Sequence, residues 1–191
     1  VGVGGVIILD LSDKSDPSFV GAIDDRYSHD VYVKDSVMYT SEIYAGIFSM
    51  YDIRNRSNPI LINSAQTSFD FTHNTWLSDD GNFLFTTDER ANAYVDAFDI
   101  SDPMDIQKVD RYRPLDTEGR GVIPHNTHYL NGYLITSWYT DGFKVIDAHR
   151  PDNLIEVAKY DTWQGADGAD SPEEGFDGCW GAYPFFNSGK M

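Results

Sequence analysis

Ala97-Phe98-Asp99-Ile100-Ser101-Asp102 is an apolar-apolar-Asp-apolar phrase that leads into a turn, and the chain writes it four times. The other copies are Ile8-Leu9-Asp10-Leu11-Ser12-Asp13, Met50-Tyr51-Asp52-Ile53-Arg54-Asn55 and Val145-Ile146-Asp147-Ala148-His149-Arg150. A proline turn follows each, at Pro17, Pro59, Pro103 and Pro151, with spacings of 42, 44 and 48 residues. A period of about 40–50 residues, built from short strands rather than helices, is the signature of propeller blades. The expected fold is therefore all-β: a β-propeller of four-stranded antiparallel blades.

Working outward from the phrase, the same order recurs in each repeat. In the second copy Ser28-His29-Asp30-Val31-Tyr32-Val33 reads as the first strand and Val37-Met38-Tyr39-Thr40-Ser41 as the second. Gly46 to Ile53 is the third, and Asn58-Pro59 turns the chain into Ile60-Leu61-Ile62-Asn63, the fourth. The third copy matches with Thr72 to Leu77, the turn Asp79-Asp80-Gly81-Asn82, and Phe83 to Thr87. The fourth matches with Pro124 to Leu130, the turn Asn131-Gly132, and Tyr133 to Ser137. Asp-Gly and Asn-Gly make tight hairpins because both central residues tolerate positive φ.

The repeats fall at residues 1–27, 28–71, 72–123 and 124–177, with the start of another at 178–191. About four repeats occupy 191 residues, and the first and last are incomplete, so the chain reads as part of a larger propeller. Two stretches lengthen the approach to a first strand, Arg111 to Val122 and Thr162 to Asp177. Insertions at one point of successive repeats fall on one face, often the binding face.

A formal charge of −17 argues against nucleic acid and against an anionic membrane surface. Acidic surface suits solubility, and Asp also serves the blade turns. Cys179 is the single cysteine, so no disulfide forms within the chain. No apolar run reaches the length of a membrane span.

Aligned on the repeats, His29, His73 and His125 stand at the start of the first strand, and Trp180 takes that place in the next copy. First strands line the channel of a propeller, so these side chains should gather at the axis on one face. Three neutral imidazoles there would suit Zn, Cu or Fe, whereas hydrogen-bonded architecture would also account for one His per blade. His128 is level with Tyr32, Trp76 and Tyr183, and would need a bulge to join a metal ring. The loops after the second strands carry Glu42, Asp88, Glu89 and Asp141, along with Trp138 and Tyr139. Such carboxylates complete a metal shell or orient its histidines, although solvated loop charge is the plainer role. Asp167, Asp170, Glu173, Glu174 and Asp177 offer hard oxygens for Ca, at no fixed motif spacing.

The repeated Asp10, Asp52, Asp99 and Asp147 are read as turn caps rather than catalytic groups. Gly-x-Ser-x-Gly, His-Glu-x-x-His and glycine-rich phosphate loops are absent. Cys179 lies beside Trp180 near the axis, with nothing in the sequence to activate it.

Val6-Ile7-Ile8-Leu9-Asp10, Phe143-Lys144-Val145-Ile146-Asp147 and Ala97 to Pro103 resemble the LVIVD repeat of bacterial surface propellers. With Pro124-His125-Asn126-Thr127-His128 and Gly178-Cys179-Trp180-Gly181-Ala182-Tyr183-Pro184-Phe185, the chain is similar to the choice-of-anchor B group of exported proteins. That resemblance implies an extracellular or cell-surface location and no established activity. A more distant likeness links the His-Asp-Val and Asp-Ile-Ser-Asp-Pro phrases to selenium-binding and methanethiol oxidase propellers, and would carry His29, His73 and His125 over as metal ligands.

Three readings result. The leading one is a non-catalytic surface propeller that binds a protein or small-molecule ligand on its axial, His-bearing face. There Trp76, Trp138, Tyr139 and Trp180, with Glu42, Asp88 and Asp141, would meet the partner. The second is a metal-dependent oxidoreductase built on the same histidines. The third is a structural module of a surface assembly.

Overall fold

A computed structural model describes residues 4–165 and 174–186. The first unit is a two-stranded sheet, β1 (Val6–Asp10) and β2 (Ser18–Ile23). Three four-stranded antiparallel sheets follow, each in sequential order. They are β3 (Asp30–Lys34), β4 (Val37–Glu42), β5 (Ile47–Asp52) and β6 (Ile60–Gln66); then β7 (Thr72–Leu77), β8 (Phe83–Asp88), β9 (Val95–Asp99) and β10 (Gln107–Tyr112). The last comprises β11 (Thr127–Leu130), β12 (Tyr133–Ser137), β13 (Phe143–Asp147) and β14 (Ile155–Tyr160). These are propeller blades. One turn of 3-10 helix, Glu174–Phe176, is the only helix among the described residues.

The repeated phrase forms the third strand of each blade and the turn beyond it. Asp10, Asp52, Asp99 and Asp147 each accept a hydrogen bond from the backbone N–H two residues on, at 2.8, 2.9, 2.9 and 3.0 Å. These are Asx turns, in which the carboxylate replaces a missing backbone acceptor. A backbone turn follows in every copy, closed from Asp16 to Asp13, Asn58 to Asn55, Asp105 to Asp102 and Asn153 to Arg150. The prolines, by contrast, occupy two different positions of this turn: Pro17 and Pro59 follow its last residue, whereas Pro103 and Pro151 are its second. The aspartates, not the prolines, carry the structural phase.

Each third–fourth strand pair also contains a bulge at the same level, with Val20, Ile62, Val109 and Val157 as the extra residues on the fourth strand. A bulge bends the strand and re-aims its neighbours. Beside it, Asn63 donates to the carbonyl of Pro103 at 2.9 Å, and Asp110 accepts from the N–H of Leu154 at 2.6 Å. Pro103 lies in the turn of the following blade, and Leu154 directly after the corresponding turn of the next. Gly21 holds the equivalent place in the first unit, where a Cβ would sit 2.2 Å from the carbonyl oxygen of Arg56. The blades therefore dock turn against bulge.

Apolar faces fill the spaces between blades. Met38, Tyr51 and Ile53 pack against Val6, Ile8 and Ile23. Phe48, Met50 and Tyr39 meet Leu77, Leu84 and Phe98, with Phe48 and Phe98 edge-on at 5.0 Å. Phe85, Val95 and Tyr112 meet Leu134, Trp138 and Ile146. Trp138 is 0% exposed, so it belongs to the interior and not to a partner-binding face.

Buried carboxylates close the same interfaces. Glu42 is bonded by Arg26 at 3.2 Å and Thr40 at 3.1 Å. Asp88 accepts from Thr67 and from the N–H groups of Phe69 and Phe71 at 2.5, 2.8 and 2.9 Å. Asp141 pairs with the fully buried Lys144 at 2.7 Å and accepts from Thr117 at 2.8 Å. Burial raises the pKa of Asp88 and of Asp141. All three were expected on a ligand-facing loop; their oxygens are instead engaged inside the protein, because a buried charge must be paired and hydrogen-bonded.

Candidate functional site

First strands β3, β7 and β11 lie side by side and bring the aligned histidines together. Ring centroids of His29 and His73 are 4.4 Å apart, those of His73 and His125 4.2 Å, and those of His125 and Trp180 5.0 Å. The N–H of His29 bonds Ser41 and that of His125 bonds Ser137, at 2.8 and 3.0 Å, so both stand at equivalent ladder positions. His73 occupies a bulge between Thr72 and Asn74 in the β7–β8 pair. Asn74, the next residue, clips three blades: its Nδ2 donates to Asp30 at 3.1 Å and its Oδ1 accepts from the N–H of Thr127 at 3.0 Å.

A second ring of side chains lies one level below. Tyr32, Trp76, His128 and Tyr183 follow one another at 4.5, 4.8 and 5.7 Å. Phe185 stacks on Trp76 at 5.4 Å and meets His128 edge-on at 5.7 Å. His128 is thus an aromatic spacer between blades, held away from the upper imidazoles. Burial lowers its pKa. Trp76 is likewise half-covered by its neighbours rather than presented as an exposed contact.

Glu89 completes the upper ring. Its carboxylate lies 3.7 Å from His73 Nε2 and 3.6 Å from His125 Nε2. The ligand atoms of His73, Glu89 and His125 all lie within 4.8 Å of one another. Tyr139 is buried and donates its hydroxyl to Glu89 at 2.5 Å, from a backbone in the left-handed region at φ 42°. Burial raises the pKa of Glu89, while the Tyr139 hydrogen bond and His29 act the other way. His29 remains exposed at the rim, beyond this group of three.

The environment keeps the two inner imidazoles neutral. His73 is 6% exposed and burial, then His125 and His29, lower its pKa to about 3. His125 is 2% exposed and burial lowers its pKa to about 4. Its Nδ1 is hydrogen-bonded to the carbonyl oxygen of Trp180, which fixes the proton on Nδ1 and leaves the Nε2 lone pair facing Glu89. Ser137 donates to the same carbonyl at 3.1 Å. The segment bearing Trp180 is anchored by mutual backbone hydrogen bonds between Tyr139 and Cys179 at 3.1 and 2.8 Å. His29, Asp30, His73, Glu89, His125, Asn126 and Trp180 line an open pocket of about 290 Å³.

Cys179 is buried and burial raises its pKa, so the thiol is not an activated nucleophile. Of the acidic stretch considered for Ca, Asp167, Asp170 and Glu173 lie outside the described residues.

Residues 1–25 match the LVIVD repeat family model. No curated protein matches the chain. Among solved structures it is similar to a periplasmic gluconolactonase from Pseudomonas aeruginosa, with TM-score 0.63 and 11% identity over 85% of this chain and 50% of that one. It is also similar to the β-propeller domain of Cps50 (Swd1) from Myceliophteria thermophila, with TM-score 0.59 and 11% identity over 82% and 55%. The chain folds as a β-propeller, and its residues 1–25 match the LVIVD repeat. It spans about half the length of these propellers. At such identities the likeness concerns the fold alone. No helix among the described residues is long and apolar enough to cross a membrane.

Proposed function

We propose that this propeller is an exported or cell-surface binding module, and that its inner face holds a divalent transition metal through His73, His125 and Glu89. The observation that carries the reading is the approach of two neutral, buried imidazoles to one carboxylate at 3.6 and 3.7 Å. These separations are too long for hydrogen bonds. They run to different oxygens of Glu89. With one ligand atom from each residue, the three lie within 4.8 Å of one another, wider than the ~3.3 Å between neighbouring ligands on a tetrahedral ion with bonds of about 2.0–2.1 Å. The side chains would therefore draw together around an ion. One further feature supports the fit: the tautomer of His125 already turns a lone pair inward.

Two imidazoles and a carboxylate suit Zn, Cu or Fe, and leave positions open for a group from outside. Trp180, 68% exposed and tilted against His125, is the surface that such a group would meet first. When bound, the metal would supply a coordination site for a ligand side chain or small molecule. Tyr139 would hold Glu89 in place by its hydrogen bond, as outer partners do for metal-binding carboxylates. Export and surface location rest on the LVIVD match.

Metal analysis of protein purified without an affinity tag tests this reading. About one transition-metal ion per chain is expected, with affinity falling at least tenfold in His73→Ala and in Glu89→Ala and unchanged in His128→Phe. Equal metal content in the wild type and in a His73→Ala/His125→Ala variant would refute it.

A further inference from the structure

We infer that the cleft between the outer strands of the last two complete blades is a separate binding site, for a small organic monoanion with an apolar or aromatic body. The cleft measures about 640 Å³, within the range of about 300–1,000 Å³ typical of small-molecule sites. Tyr112, Leu115, Leu154 and Ile155 supply apolar walls, and Arg111 and Tyr94 stand at one end.

One wall is the Arg111–Val122 insertion, and it is built rather than loose. Asn92, in the left-handed region at φ 62°, accepts from the N–H groups of Gly119 and Gly121 at 3.1 Å each. Its own N–H bonds the carbonyl of Val122 at 2.9 Å, and its carbonyl accepts from Arg113 at 3.3 Å. Thr117 pins the middle of the loop to Asp141.

Charge decides the ligand class. The cleft is lined by three carboxylates, and each already has a donor: Asp116 pairs with Lys159, Glu118 with Arg113, and Glu156 accepts the Tyr112 hydroxyl. Arg111 is different. Its guanidinium carbon lies over the Tyr94 ring, 4.4 Å from the centroid, and no ion pair among the described residues involves it. Asp96, opposite it across the β9–β10 ladder, is taken by Lys108 at 3.1 Å and by Ser68 at 2.6 Å. In a chain with 31 acidic and 14 basic residues, an arginine without a carboxylate is a vacant anion acceptor. Stacking on Tyr94 holds the fork in place, so little side-chain freedom is lost when an anion arrives. The surrounding carboxylates repel a second negative charge, which favours a monoanion over a polyphosphate.

The probe is 8-anilinonaphthalene-1-sulfonate, an aromatic monoanion, followed by fluorescence against its uncharged relative N-phenyl-1-naphthylamine. Saturable one-site binding of the sulfonate is expected, at least tenfold weaker in Arg111→Gln and intermediate in Arg111→Lys. The neutral probe should bind wild type and Arg111→Gln alike. Sulfonate binding no tighter than that of the neutral probe to the unaltered protein would overturn the inference, whatever the variants do. So would sulfonate binding indifferent to Arg111→Gln at an unchanged melting temperature.

Discussion

His73 and His125 are buried, and that burial has a thermodynamic sign. Both imidazoles are held neutral in the folded protein, with pKa values of about 3 and about 4, against 6.5 in an open chain. The unfolded chain therefore binds protons that the folded one refuses. The stability from this source is fully present above pH 6.5 and is lost as pH falls through 6.5 toward 4 and 3, at up to about 1.4 kcal/mol per pH unit for each histidine. Urea unfolding of chelator-treated protein should show this loss between pH 7.5 and 5. The slope should shrink in a His73→Gln/His125→Gln variant, and an identical slope in both would contradict the account. The histidine alignment was legible in the sequence because one repeat position yielded His29, His73 and His125, and adjacent first strands brought the equivalent residues together. Glu89 could be named only as one loop carboxylate among several, since its approach to two rings depends on a bulge at His73 and on the Tyr139 hydroxyl. Trp138, Glu42 and Asp88 occupy one aligned position, and loop placement suggested exposure. What the sequence did not show is that this position points between blades.

At the scale of the element, the third strand and its neighbours set the geometry through a few backbone requirements. Gly142 precedes β13 at φ 68°, and a Cβ there would lie 2.1 Å from the carbonyl oxygen of Tyr160. Gly81 has a similar φ of 75° in the β7–β8 hairpin, yet a Cβ there would meet nothing within 4 Å. Gly81→Ala should cost about 1 kcal/mol of backbone strain alone, while Gly142→Ala should cost about 2–4 kcal/mol because the fourth strand must also move. Chemical denaturation of the two variants checks the difference, and equal costs would show that strand docking is softer than described. The Asx turn is a lesser element of the same kind. Asp99→Ala removes the acceptor for the Ser101 N–H and hydroxyl, and should lower the melting temperature by a few degrees without altering the site. The aspartates were readable as caps because all four copies place a polar turn directly after a strand. The proline spacing was a less faithful guide, since proline suits two positions of one turn.

Across the whole molecule, the tryptophans divide between the buried blade interfaces and the open surface. Trp138 fills the space between the last two complete blades with no exposed surface, whereas Trp180 stands open beside the pocket. Trp138→Ala should destabilise the protein by about 3–5 kcal/mol through the cavity it leaves. Trp180→Ala should change the melting temperature little, since His125 and Ser137 bond the backbone carbonyl rather than the indole. Thermal unfolding distinguishes the two, and a large loss in Trp180→Ala would mean that the indole is structural. The repeat made the blade architecture legible across the chain, but the apolar interfaces join residues about 40–50 positions apart, and their partners emerge only once the blades are stacked. The central claim is that this stacking creates a metal-binding group from His73, His125 and Glu89. Anomalous diffraction at the zinc absorption edge, from crystals grown with Zn²⁺, tests it most directly. The account predicts a peak about 2.0–2.2 Å from His73 Nε2, His125 Nε2 and an oxygen of Glu89. Peaks found only elsewhere on this acidic surface, with none between these three side chains, would contradict it.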